Sequence, residues 1–169
     1  AMIAFLVVLM AAPVWAQDDA PRFVAAWGKQ ATPDGRFDPL AIAANAKGDV
    51  YVIHRYQTKK DEDETKSENR YRIRKFDSSG KFLLEWGDFS DLKRHFKLPT
   101  GVFVDSQGFV YTSDGQTQQV QKCTPDGKLV VRFGSKGVKD GQSKWLLCIA
   151  IGSGGELFIA GTGNHCIQV

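Results

Sequence analysis

The stretch FKLPTGVFVDSQGFVYTSD, residues 96–114, contains two short apolar runs joined by a turn. Both runs consist of β-branched and aromatic residues, which favour strands over helices. The turn Ser106-Gln107-Gly108 places a glycine where a tight hairpin needs a positive φ angle. The stretch therefore predicts an antiparallel hairpin whose second strand ends near Asp114.

A second hairpin follows directly. The runs 120–123 and 129–133 are again short and apolar, and Pro125-Asp126-Gly127 separates them. Pro125 pre-sets the first turn angle, and Gly127 supplies the positive φ of the turn. The sequence therefore predicts a unit of four short antiparallel strands.

The same turn residues recur along the chain at a fixed distance. Gly80 and Gly127, each at the end of a polar turn, lie 47 residues apart, and so do Gly108 and Gly155. Aromatic-glycine pairs also recur, and the glycines of the last two are again 47 residues apart. These pairs are Trp27-Gly28, Trp86-Gly87 and Phe133-Gly134. Because unlike anchors share one spacing, the four-stranded unit is a repeat.

The first copy of the repeat is longer than the others. Between His54 and Ile73 lie 18 residues, whereas five lie between the equivalent Asp114 and Val120. The additional 13 residues include the mixed-charge run 59–64, which indicates a solvated loop.

Four-stranded antiparallel units that recur about every 40 to 50 residues are typical of β-propellers. No stretch keeps a 3.6-residue periodicity, which excludes a helical solenoid. We therefore expect an all-β chain of propeller blades, with repeats at about 22–87, 88–134 and 135–169. Since propellers close with about four to eight blades, roughly three repeats predict part of a five- or six-bladed ring.

The amino-terminal segment AMIAFLVVLMAAPVWA, residues 1–16, carries no charged side chain and precedes a polar sequence. It is shorter than the roughly 20 residues of a membrane helix, and small residues at Val14 and Ala16 match the end of a secretory signal peptide. We expect residues 17–169 to form a secreted or periplasmic domain without membrane association. An amino-terminal membrane anchor is the alternative.

Charge and cysteine content restrict the classes of partner and chemistry. The formal charge of +3 over 169 residues is too small for a nucleic-acid-binding surface, so no nucleic-acid partner is expected. The three cysteines, Cys123, Cys148 and Cys166, have no metal-site spacing. Export permits a disulfide, but buried free thiols fit the sequence equally well.

The propeller anchors resemble the NHL repeat family. The segments 96–105 and 110–114 match its repeat closely, and Gly163-Asn164-His165-Cys166-Ile167-Gln168-Val169 is similar to the segment that names the family. The family ends the second strand with Asp and begins the third with Arg. The equivalent pairs here are His54 and Arg72, Asp114 and Gln119, and Gly161 and Cys166. The resemblance implies the fold, with weaker tethering of these strands, and leaves the function open.

A more distant resemblance is to peptidyl-hydroxyglycine amidating lyases, which are zinc-dependent propellers. Ile53-His54-Arg55 and Ser113-Asp114-Gly115 are similar to segments of that family. Its zinc-binding histidines follow Pro on inner strands, whereas Leu40 and Thr100 follow Pro here. The tyrosine expected after the Asp-Gly pair is Gln116. Zinc or calcium is therefore implied only under the lyase hypothesis, with ligands in further blades.

Two functional hypotheses follow. The first is a binding or scaffold module that holds a protein, peptide or carbohydrate ligand with blade-end loops and needs no cofactor in this segment. The second is a lyase-like enzyme with Arg55 as the catalytic candidate. The predicted binding residues are His54, Arg55, Asp114 and Gln116, and no metal ligand is predicted.

Other residues that might suggest chemistry have structural explanations. His95 and His165 stand at unrelated spacings and are expected to be ordinary polar residues. The glycine-rich run 152–155 resembles a phosphate-binding loop in composition only, since no helix follows and the repeat assigns it to a hairpin turn. Trp27, Trp86 and Trp145, with Phe133, are expected to pack between blades.

Overall fold

The computed structural model describes residue 26 and residues 38–56, 70–87 and 96–169. The strands are β1 (Asp38–Ala44), β2 (Val50–Tyr56), β3 (Arg70–Phe76), β4 (Phe82–Trp86), β5 (Pro99–Val104), β6 (Val110–Asp114), β7 (Gln119–Cys123), β8 (Leu129–Phe133), β9 (Ser135–Lys136), β10 (Gln142–Ser143), β11 (Leu146–Ile151), β12 (Leu157–Gly161) and β13 (Cys166–Gln168). A single 3-10 turn, Thr162–Asn164, precedes β13 in the described part of the chain.

The strands form three antiparallel sheets that follow the predicted repeats. Strands β1 to β4 form the first sheet and β5 to β8 the second, each in sequence order, and β11 to β13 form the third. We call these sheets blade 1, blade 2 and blade 3. The predicted turn glycines are confirmed, because Gly108 and Gly127 have φ angles of 89° and 82°.

Strand register repeats from blade to blade. The innermost strand of each blade has a bulge where it pairs with its neighbour, starting at Pro39, Pro99 and Leu146. These residues are 60 and 47 residues apart, which matches the spacing of the sequence anchors. The three residue pairs that the family comparison aligned are direct cross-strand partners, namely His54 with Arg72, Asp114 with Gln119 and Gly161 with Cys166.

The blades stack face to face around their innermost strands, with β5 lying between β1 and β11. The core between blades 1 and 2 consists of Tyr51, Ile53, Tyr71, Ile73, Phe96, Val104 and Val110, with Trp86 packed against it. The core between blades 2 and 3 consists of Val120, Leu146 and Ile149, flanked by Phe103, Tyr111, Leu157 and Ile159. Successive antiparallel sheets of three or four strands packed in this way are blades of a β-propeller.

Three features depart from the expectations. The short strands β9 and β10 pair in parallel between blades 2 and 3, which no sequence pattern indicated. Trp145 does not pack between blades, because its side chain is 65% exposed and its φ angle is 60°. Phe133 is 36% exposed, whereas Trp86 packs as expected.

Several expectations concern residues outside the described ranges. These are the segment 1–16, Trp27, the charged run 59–64 and His95. Within the described ranges, no helix is long and apolar enough to cross a membrane.

We expect Gly127→Ala to destabilise the domain more than Gly141→Ala does. Both glycines have positive φ, which costs an alanine about 1 kcal/mol. A Cβ at Gly127 would lie 2.7 Å from the Trp86 ring, whereas Gly141 has nothing within 4 Å. Displacing the ring adds about 1 to 3 kcal/mol. Denaturant unfolding followed by tryptophan fluorescence measures the difference, and equal losses would contradict the packing of Trp86 on this turn.

Candidate functional site

His54 lies two residues before the end of β2 and was predicted to be a binding residue. Its side chain is fully buried, and its Nδ1 lies 3.3 Å from the carbonyl oxygen of Arg55. A ligand contact by His54 stays a prediction. Burial, together with the nearby positive charges of Arg74 and Arg72, lowers the pKa of His54 to about 4. The imidazole is therefore neutral at physiological pH.

Asp114 occupies the position of His54 in blade 2, and its carboxylate is surrounded by backbone amides. Oδ2 accepts hydrogen bonds from the N–H groups of Lys97 at 2.7 Å and Leu98 at 3.2 Å. Oδ1 accepts from the N–H groups of Gln116 and Thr117, both at 2.9 Å. The side chain thus ties the end of β6 to the entry of β5. A ligand contact by Asp114 stays a prediction.

Arg55 follows His54 and points to the surface. Its Nη2 lies 3.3 Å from Asp38 Oδ2, and the two side chains are 41% and 51% exposed. An exposed ion pair of this kind contributes about 0 to 1 kcal/mol, so it leaves the guanidinium accessible. Gln116 is also exposed, in the turn after β6. The binding roles of both residues and the catalytic role of Arg55 stay predictions.

The described residues do not fit a zinc centre. Within that part of the chain, no group of three or more His, Cys, Asp or Glu side chains could hold a metal ion. All three cysteines are free thiols, with Cys123 buried and Cys148 and Cys166 exposed. His165 is exposed and follows the 3-10 turn. Zinc chemistry needs three or four convergent ligands, and these residues do not supply them.

A cleft of about 670 Å³ lies between blades 2 and 3, at the end of the blades opposite His54 and Asp114. Its walls are the β5–β6 turn, which contains Asp105, and the glycine-rich β11–β12 turn, residues 152–155. Tyr111 and Lys122 contribute from β6 and β7. We call this space the interblade cleft. Antiparallel pairing explains its position, because alternate hairpin turns of a blade lie at the same end.

Charged and aromatic groups are ordered at the interblade cleft. Asp105 Oδ1 accepts hydrogen bonds from the N–H groups of Gln107 and Phe109, and its Oδ2 accepts one from the Tyr111 hydroxyl at 3.1 Å. The Lys122 ammonium lies 4.2 Å from the centre of the Phe109 ring and 5.0 Å from that of Tyr111. These cation–π contacts hold the ammonium in place.

Asp105, Tyr111 and Lys122 were not among the predicted site residues. The prediction of a hairpin turn at residues 152–155 is confirmed, but a turn assignment does not show that two turns enclose a cleft. A difference between the repeats would have drawn attention to Lys122, because its counterpart Lys75 pairs with an Asp that the second repeat lacks. Position 49 is Asp in the first repeat, and its counterpart in the second is Phe109.

Known proteins resemble this chain only distantly. No family model and no curated protein matches the chain. Among solved structures, a luciferin-regenerating enzyme matches with 16% identity and a TM-score of 0.48, over 75% of this chain and 38% of that one. A streptogramin B lyase matches with 14% identity and a TM-score of 0.46, over 76% and 50%. A protein of unknown function from Bacteroides caccae matches with 13% identity and a TM-score of 0.43, over 78% and 56%.

The chain therefore spans between 38% and 56% of the length of these structures. The assignment of the fold rests on the strand order, register and packing described above.

We expect stability to fall as the pH drops from about 6.5 to 4, because His54 must be neutral in the folded state. Its folded pKa of about 4 lies below the unfolded value of 6.5, so the unfolded chain binds the extra proton in this window. The contribution is complete above pH 6.5 and amounts to at most about 3 kcal/mol.

Urea unfolding across this pH range measures the effect, with His54→Gln as the variant and the exposed His165→Gln as the control. The variant should flatten the pH dependence and the control should not. An imidazole NMR titration of His54 near pH 6.5 in the folded protein would contradict the account even if the variant fails to fold.

Proposed function

We propose that this chain is a ligand-binding β-propeller module that holds its ligand with blade-end turns. The interblade cleft carries this proposal. Its volume of about 670 Å³ lies within the range of about 300 to 1,000 Å³ that small-molecule sites occupy. Its lining is mixed, with apolar side chains beside a slightly larger polar share that includes the ordered groups of Asp105, Tyr111 and Lys122.

The lining of the cleft suits a ligand that contains both polar and apolar parts. Phe103 and Ile151 provide apolar surface, and Ser106, Gln107 and Ser153 provide hydrogen-bonding groups at the rim. A peptide segment or a carbohydrate has this combination, as does a side-chain cluster of a protein partner. We include the NHL family in the proposal on the strength of its repeat anchors.

Export is part of the proposal. It is supported by the uncharged segment 1–16, its length and its small residues at the end. The protein would then meet its ligand in an extracellular or periplasmic space, and an amino-terminal anchor would instead keep it at a membrane surface.

The lyase hypothesis is the second proposal and has less support. Arg55 is accessible, as a substrate-binding arginine would be, but His54 is enclosed in the sheet. Zinc ligands would have to come from outside the described residues. Cleavage of a peptidyl-hydroxyglycine by the zinc-loaded protein tests this hypothesis.

We expect Ser106→Trp to abolish ligand binding and Ala46→Trp to preserve it. The two positions are equivalent in the turns of blades 2 and 1, and both are exposed. Only Ser106 lines the interblade cleft, so only its replacement fills the ligand space. Thermal shift measurements with panels of peptides and oligosaccharides identify a ligand, because a ligand at 100 times its Kd adds about 2.7 kcal/mol of stability.

Amide NMR shifts locate the ligand that the panels identify. Shifts confined to the turns around residues 105–109 and 152–156 support the proposal. A ligand whose binding survives Ser106→Trp, or whose shifts centre on Arg55 and Gln116, would place the binding function elsewhere.

A further inference from the structure

Gln118, in the turn between β6 and β7, joins blade 2 to blade 3. Its φ angle is 60°, and its side chain is buried. Its Oε1 accepts a hydrogen bond at 2.9 Å from the N–H group of Leu146, the first residue of the innermost strand of blade 3. A buried main-chain donor needs such a partner. One side chain of blade 2 therefore receives a backbone group of the next blade.

The rest of Leu146 is also held by blade 2. Its side chain is buried in a cluster with Val120 of β7 and with Ile149. Its carbonyl oxygen accepts a hydrogen bond from the Thr100 hydroxyl at 3.2 Å. Blade 2 thus holds the start of the next inner strand by an N–H group, a carbonyl group and an aliphatic side chain.

His165 occupies the position of Gln118 in blade 3. The two residues lie 47 positions apart, and both have a positive φ angle, 53° for His165. Such a φ is uncommon for a residue other than glycine, so its recurrence at one position is a property of the repeat. The turn is one residue tighter in blade 3, since the His165 N–H bonds to Thr162 whereas the Gln118 N–H bonds to Asp114. A neutral imidazole, like an amide oxygen, can accept a hydrogen bond from an N–H group.

The surface around His165 is an open counterpart of the Leu146 site. A pocket of about 590 Å³ lies there, lined by Ala160, Gly161, Thr162, His165, Cys166 and Ile167. We call it the blade 3 pocket. Ala160 pairs with Ile167 across the strands as Ser113 pairs with Val120 in blade 2. Val120 is fully buried, whereas Ile167 is 70% exposed. The blade 3 pocket therefore offers an aliphatic surface beside a hydrogen-bond acceptor.

Two substitutions distinguish the blade 3 pocket from the site in blade 2. Leu147 stands at the position of Thr100, so the hydroxyl donor of that strand is lost. Thr162 stands at the position of Gly115, where a Cβ would lie 3.1 Å from the Leu146 carbonyl oxygen. The Thr162 side chain thus brings a hydroxyl group beside the carbonyl of a segment held in the same way.

We propose that the blade 3 pocket binds the start of an inner strand of a further propeller blade, with the N–H group of an aliphatic residue donating to the His165 imidazole. The aliphatic side chain packs on Ala160 and Ile167, as Leu146 packs on Val120 in blade 2. This inference goes beyond the proposed function, because the pocket lies on the face of blade 3 that points away from the interblade cleft.

The hydrogen bond to His165 restricts which strand can occupy the pocket. Strands β1 and β5 have Pro39 and Pro99 at the position of Leu146, and proline has no N–H group to donate. Blade 1 of a second copy therefore does not supply the donor that His165 would accept. The occupant is expected to have leucine, isoleucine or valine at this position.

A capped peptide that copies residues 143–151, with alanine in place of Cys148 to prevent oxidation, tests the proposal. We expect saturable shifts of the Ala160, His165 and Ile167 amide signals of the ¹⁵N-labelled protein at millimolar peptide concentration. The same peptide with Leu146→Pro should bind about tenfold more weakly, since it cannot make the hydrogen bond.

Variants of the full chain separate the two contributions. His165→Ala should weaken peptide binding about tenfold, and His165→Gln, which copies Gln118, should preserve it. Ile167→Ser should weaken binding at least about tenfold through lost apolar contact. Val138→Ser is the matched control, because Val138 is 75% exposed and lies in the β9–β10 connection outside the pocket.

Shifts that do not saturate, or that persist unchanged in His165→Ala and Ile167→Ser, would overturn the proposal. Equal binding of the leucine and proline peptides would overturn the role of His165 as acceptor. Self-association in analytical ultracentrifugation that Ile167→Ser abolishes would assign the face to a second copy instead. Ser106→Trp, which tests the proposed function, should leave peptide binding unchanged, so the two failures are distinguishable.

Discussion

Apolar contact between the faces of neighbouring sheets is the interaction on which the whole structure depends. A four-stranded sheet of five- to seven-residue strands has two faces and too little surface to bury either one alone. Tyr51, Ile53 and Ile73 become fully buried because blade 2 covers them. The register of the bulges at Pro39, Pro99 and Leu146 keeps the blades in phase, so that each apolar face meets the next.

Much of this architecture could be predicted from local sequence. Glycines at positive φ and short apolar runs are determined by neighbouring residues, so Gly108, Gly127 and the four strands around them were predictable. The burial of His54 was not, since it depends on how the sheet is covered. The exposure of Trp145 was likewise unpredictable, because its φ angle of 60° turns it away from the blades.

The candidate site was less predictable than the fold for the same reason. Asp114 looked like a binding residue at a strand end, yet four backbone amides surround its carboxylate. Lys122 carried no signal of its own in the sequence. The repeats differ at the position of its partner, because Asp49 of the first repeat is replaced by Phe109 in the second.

The hydrogen bonds of Asp114 have a consequence for the dynamics of the domain. One carboxylate joins the amides of Lys97 and Leu98 before β5 to those of Gln116 and Thr117 after β6. These four amides exchange with solvent deuterium when their hydrogen bonds to the carboxylate break, so a movement of this one side chain lowers the protection of all four together. Blade 1 has the imidazole of His54 at this position, so this carboxylate bridge has no counterpart there.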